Sequence, residues 1–177
     1  MTAHTAARAG RSGHDLLGIY LNDHLAGATG GTELARRVAR AVRDPAVRER
    51  LTGFAAEVAQ DRAALLEIMA TLGVPVRSYK VRAAWLGEKA GRLKFNGRLL
   101  TRSPLSSLEE LEMMRLGVEG KAAGWRTLRA AADHDHRLDS ARLDELIARA
   151  RRQSDLLESL RIRAAQQVIA GPDGPAL

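Results

Sequence analysis

LGVPVRSYKVRAAWLGEKAGRLKFNGRLLTRSPLSSLE, residues 72–109, decides how the rest of the chain can fold. It opens on Leu72-Gly73-Val74-Pro75: a glycine suited to the left-handed position that closes a helix, then a proline that cannot continue one. Asn96-Gly97 marks a turn, Ser103-Pro104 a break, and Ser106-x-x-Glu109 has the capping-box spacing that starts a helix. Between the stop signal and the start signal lie about thirty residues, against the roughly two to eight usual between neighbouring helices of a bundle. Within them, Lys80 to Lys94 can form a short basic helix with Trp85, Leu86 and Leu93 as its apolar contacts.

Outward from this connection the chain is helical in both directions. Leu17, Leu21, Ala28, Ala35, Val38 and Val42 recur at the spacing of one helical stripe, which predicts a first helix from Asp15 to Val42. Asp44-Pro45 then supplies an N-cap and a proline at the first helical position, where its missing N–H is not needed. A second helix follows, with Val47, Leu51, Phe54, Val58, Leu65, Ile68 and Leu72 on its stripe. Beyond the connection, Leu108, Leu111, Met114, Val118, Ala122, Trp125 and Leu128 define a third helix, and His134-Asp135-His136 turns the chain. The fourth runs from about Ser140 to Ala170, with Leu143, Ile147, Ala150, Leu157, Leu160, Ala164 and Val168 inward, and Gly171-Pro172 stops it. Two short links and one long one predict an all-α four-helix bundle made of two antiparallel hairpins, each helix about 40 Å long.

Composition narrows the function. The chain is 45% hydrophobic but only 3% aromatic, so its core must be built from Leu, Ala, Val and Ile. The absence of cysteine excludes disulfides, thiolate metal sites, iron–sulfur clusters and cysteine nucleophiles. Residues 1–13 are polar and are expected to be a disordered lead-in, residues 14–171 one domain, and residues 172–177 a loose tail. No apolar run approaches the ~20 residues that span a bilayer, so a cytoplasmic protein is expected. The net charge of +7 is concentrated. Lys80, Arg82, Lys89, Arg92, Lys94, Arg98 and Arg102 stand against the single acid Glu88, a set of anion-binding candidates for an acidic partner such as nucleic acid, an anionic membrane or an acidic protein. Tyr79, Trp85 and Phe95 are too few to argue for base stacking, and pairing of the segment with Glu109, Glu110 and Glu112 is the plainer expectation.

Long helices joined by one long middle crossover resemble the ferritin-like superfamily, with a bacterioferritin-like helix order. That resemblance implies a di-metal site of iron or manganese at the bundle centre, with one Glu from each of two helices and a Glu-x-x-His from each of the others. The chain contains no Glu-x-x-His. In the second helix the motif falls on Glu57-Val58-Ala59-Gln60, and in the fourth on Ala150 and Gln153, so both histidines and one acid are replaced. A register shift of one in the second helix would bring in Asp61 instead of Gln60. The ligand position of the first helix falls on Asp23 or His24, and Glu119 is the acid deep in the third. Asp23, His24, Glu57, Asp61 and Glu119 are therefore the candidate metal set.

Without the histidines no di-iron centre or other cofactor is expected, and His24 and Asp61 are expected to face inward as hydrogen-bonded polar pairs. Gly27, Gly30 and Gly31 cost helix stability, which points either to packing against Trp125 or to a small cavity for an organic ligand. Glu119-Gly120-Lys121 reads as a boundary salt bridge, and His134-x-His136 as a solvated loop. A structural or binding role, with a homo-oligomer as one arrangement, is the leading expectation. A di-metal oxidoreductase or storage protein with altered ligands, and a basic module for nucleic acid or membrane, are the alternatives.

Overall fold

The computed structural model describes residues 2–77 and 104–170, with side chains described at 16–77 and 105–169. Four α-helices and no strands make up the described residues: α1 (Thr2–Ala41), α2 (Pro45–Thr71), α3 (Pro104–Ala131) and α4 (Ser140–Ala170). Helix α1 begins at Thr2. The basic candidates Lys80, Arg82, Lys89, Arg92, Lys94, Arg98 and Arg102, the short helix expected around them, and residues 172–177 lie outside the described residues.

The boundaries follow local chemistry. Asp44 caps α2, its Oδ1 accepting from the backbone N–H of Ala46 at 2.8 Å and of Val47 at 3.3 Å, with Pro45 at the first helical position. At the other end Gly73 takes φ 70°, the Gly73 N–H donates to Ala70 O, and the Val74 N–H donates to Met69 O. This pair of bonds satisfies two terminal carbonyls and is the Schellman arrangement expected of Leu72-Gly73. Helix α3 starts three residues earlier than the capping box places it, because Pro104 is itself well suited to the first turn. Asp139 caps α4 by accepting from the Arg142 N–H at 3.0 Å.

Cross-helix contacts fix the packing. Tyr20 donates to Thr127 and Arg37 pairs with Glu110, so α1 and α3 are antiparallel. Arg50 donates to Ser159 and Arg149 to Gln60, so α2 and α4 are antiparallel too. The hairpins α1–α2 and α3–α4 complete a bundle in which adjacent helices run in opposite directions. Leu21, Leu25, Leu51, Met69, Leu128, Leu143, Leu146, Leu157 and Leu160 fill its core, each at most 2% exposed. The fourth predicted stripe is buried except at its end, where Val168 is 37% exposed. Arg137 ties the α3–α4 turn to the end of α2 by donating to Leu72 O, and Asn22 joins α1 to the chain after α2 through Pro75 O and the Arg77 N–H. No helix among the described residues is long and apolar enough to cross a membrane.

Candidate functional site

The bundle centre is held by charges of both signs. Asp61 on α2 is 2% exposed and is paired on both sides: Lys121 Nζ of α3 lies 2.5 Å from Oδ2, and Arg149 Nη2 of α4 lies 2.5 Å from Oδ1. Gln153 on α4, 1% exposed, uses both ends of its amide. Its oxygen accepts from Lys121, and its nitrogen donates to Glu57 at 2.9 Å and Asp61 at 3.2 Å. Only this orientation of the amide puts its oxygen on an ammonium and its nitrogen on carboxylates. Two cations and two anions, Lys121, Arg149, Asp61 and Glu57, thus balance within one connected network, as buried charges require.

The candidate metal set is dispersed around this network. Asp61 is the inward residue of its pair with Gln60, whose side chain lies outside and accepts from Arg149 at 3.1 Å. The second-helix register is therefore shifted by one from Glu57-x-x-Gln60. Glu57 joins the network through Gln153. Glu119 instead accepts from Ser154 at 2.8 Å on the rim, and Lys121 holds the inward position of α3. Asp23 lies on the exposed side of α1, and His24 is half-buried across from α3. No group of three or more His, Asp or Glu that could hold a metal forms among the described residues. His134 and His136 are exposed, in the turn where Arg137 forks onto Asp135 at 2.6–3.2 Å and pulls that carboxyl down to about 2.

Beside the network a cavity of about 410 Å³ opens between α1, α2 and α3. Its walls are mostly apolar: Leu21, Phe54, Val58, Leu65, Met114 and Trp125, among others. Two helices approach it without side chains, α1 at Gly27 and Gly31 and α3 at Gly117, Gly120 and Gly124. A Cβ added at Gly27, Gly30 or Gly31 meets no atom within 4 Å. Close packing against Trp125 therefore does not explain these glycines; Gly27 and Gly31 line the cavity, whereas Gly30 is exposed outside it. Gly124 differs, because a Cβ there would sit 3.0 Å from His24 Cε1. That glycine makes room for the imidazole, which stacks edge-on against Tyr20 with ring centres 4.5 Å apart.

The polar groups of this wall are few and distinctive. Burial pushes the His24 pKa down, with Asp23 opposing, which favours the neutral ring. Burial also lowers the Lys121 pKa, an effect that Asp61 opposes and Arg149 reinforces. The Trp125 indole N–H finds no acceptor among the described residues although the side chain is 3% exposed. Lys121, read from the sequence as half of a boundary salt bridge with Glu119, is the residue that reading missed. A signal was present: the chain has four lysines, and Lys121 is the one outside residues 79–102, where every other cation is arginine. Neither a protein-family model, a curated protein nor a solved structure matches this chain.

Proposed function

We propose that this chain is a ferritin-like bundle that serves as a small-molecule-binding protein and not as a di-metal oxidase. The observation that carries this reading is the cavity of about 410 Å³ with Tyr20, Asp23, His24, Asp61 and Lys121 as the polar side chains of a mostly apolar wall. Its volume lies within the range of about 300–1,000 Å³ usual for small-molecule sites, and a largely apolar lining with a few convergent polar groups is their usual chemistry. Ferritin-like topology is supported by the helix pairings and by α2 and α3 ending at the same end of the bundle, so that a long crossover must return the chain to the start of α3. The di-metal alternative is disfavoured by the residues themselves: Asp61 is already paired with two cations, Glu119 faces Ser154, and the Lys121 ammonium occupies the Asp61 carboxylate oxygen that a metal would need.

The test uses the Trp85→Phe protein, in which Trp125 is the remaining tryptophan. Cuminyl alcohol, a flat apolar molecule with one hydroxyl, is expected to change Trp125 emission saturably and to raise the unfolding temperature, as any ligand specific for the folded state does. Gly117→Leu, which fills the cavity from α3, is expected to remove both effects. A response unchanged by Gly117→Leu, or no response at all, would overturn the reading.

A further inference from the structure

We propose that Lys121 is a carbonyl-capturing amine, forming a reversible imine with an apolar aldehyde that lies in the cavity between α1, α2 and α3. The inference rests on the reading of that cavity as a small-molecule site. It adds the ligand's chemical class and a covalent step.

Three observations carry it. The first is position: Lys121 lines the cavity, its side chain 15% exposed, while Asp61 and Gln153 hold its ammonium in a fixed place at the wall. The second is residue choice. Outside residues 79–102 the chain places arginine at every cationic position except this one. A guanidinium remains protonated in a protein, whereas a desolvated amine can lose its proton and become a nucleophile. The lowered pKa of Lys121 agrees with that distinction. The third is the presence of an acid–base partner at hydrogen-bond distance, Asp61 Oδ2, 2.5 Å from Nζ.

The step balances with these groups alone. Asp61 takes one proton from the ammonium, and the freed nitrogen pair attacks the carbonyl carbon, forming the C–N bond as the C=O π bond breaks. One nitrogen proton passes to the oxygen, giving a carbinolamine. Asp61 then returns its proton to the hydroxyl, the C–O bond breaks, and water leaves. The product is a protonated imine, R–CH=NH⁺–Lys121, with the positive charge still beside the Asp61 carboxylate. The charge balance of the buried network is therefore the same before and after capture. Both directions need only water, and nothing is oxidised or reduced.

The experiment pairs cuminaldehyde with cuminyl alcohol on the full chain and traps any imine with sodium cyanoborohydride at neutral pH. Peptide mapping by mass spectrometry is expected to find the reduced adduct on Lys121 first, roughly tenfold or more ahead of Lys80, Lys89 and Lys94, because a bound aldehyde meets that amine intramolecularly. Lys121→Arg keeps the charge and should lose the fast adduct. Gly117→Leu keeps Lys121 and its partners, and should slow labelling of Lys121 to the rate of the other lysines. Labelling of Lys121 no faster than those three overturns the proposal. If cuminyl alcohol binds but the aldehyde is not trapped at Lys121, the imine is refuted and the cavity reading stands. If neither compound binds, both fall.

Discussion

Asp61 is the residue on which the centre depends, and its two cations make the network unequal in its responses to mutation. Asp61→Asn leaves Lys121 and Arg149 buried with Glu57 as the nearest remaining carboxylate, so it is expected to cost about 3–5 kcal/mol, the penalty for stranding a buried charge. Lys121→Met should cost clearly less, because Arg149 still neutralises Asp61 and the methionine stem still packs. Urea unfolding of the two variants checks the order, and equal losses would contradict the view that the centre depends on Asp61 more than on Lys121. His24 gives a separate signature. In the unfolded chain it takes its proton near 6.5, while in the folded chain burial delays protonation to lower pH. Between those two values the unfolded state binds more protons, so stability falls as pH drops from 6.5 and levels off once the folded imidazole is also charged. The difference in unfolding free energy between the parent and His24→Gln, followed over that window, should show this slope.

At the scale of elements, the glycines of α1 and α3 divide by what they face. Gly117 and Gly120 open on space, so alanine at either is expected to raise the stability of the unliganded protein by up to about 1 kcal/mol through helix propensity while weakening binding in the cavity. Gly124→Ala should do the opposite to stability, since its methyl meets the His24 ring at 3.0–3.4 Å and forces it from Tyr20. Thermal unfolding of the three variants separates the cases. The sequence made the elements themselves legible where local chemistry decides them: Asp44-Pro45 and Leu72-Gly73 mark real ends, and the stripe Leu111, Met114, Val118, Ala122, Trp125, Leu128 is buried as its period requires. The glycines were legible only as a cost. Whether a helical glycine admits a neighbouring helix or leaves a hole depends on the partner's side chains, which periodicity within one helix does not contain.

For the whole molecule, the same division explains why the centre was half legible. His24 and Asp61 lie on apolar stripes, so their inward placement followed from helical spacing; Asp61 proved buried and His24 half-buried. The identity of their partners did not follow. Lys121, Gln153 and Arg149 come from other helices, and a one-residue error of register exchanges Asp61 for Gln60 and Lys121 for Gly120. On the ferritin-like reading proposed above, what these partners change is the source of the cation at the centre. In this bundle the chain supplies it, so folding should not depend on a metal, and excess chelator should leave the unfolding temperature of the parent protein unchanged. Lys121→Glu inverts the arrangement: it removes an ammonium and adds a third carboxylate beside Asp61 and Glu57, leaving Arg149 as the remaining cation of the network. Repulsion among the three should destabilise the variant in chelator. Manganese should then restore part of the loss, because an ion that binds only the folded state stabilises it by mass action, by about 2.7 kcal/mol at one hundred times its dissociation constant. Thermal unfolding of parent and variant, each in chelator and in manganese, makes the comparison. A manganese-dependent rise in the parent, or none in Lys121→Glu, would contradict the view that Lys121 takes the place of a bridging metal.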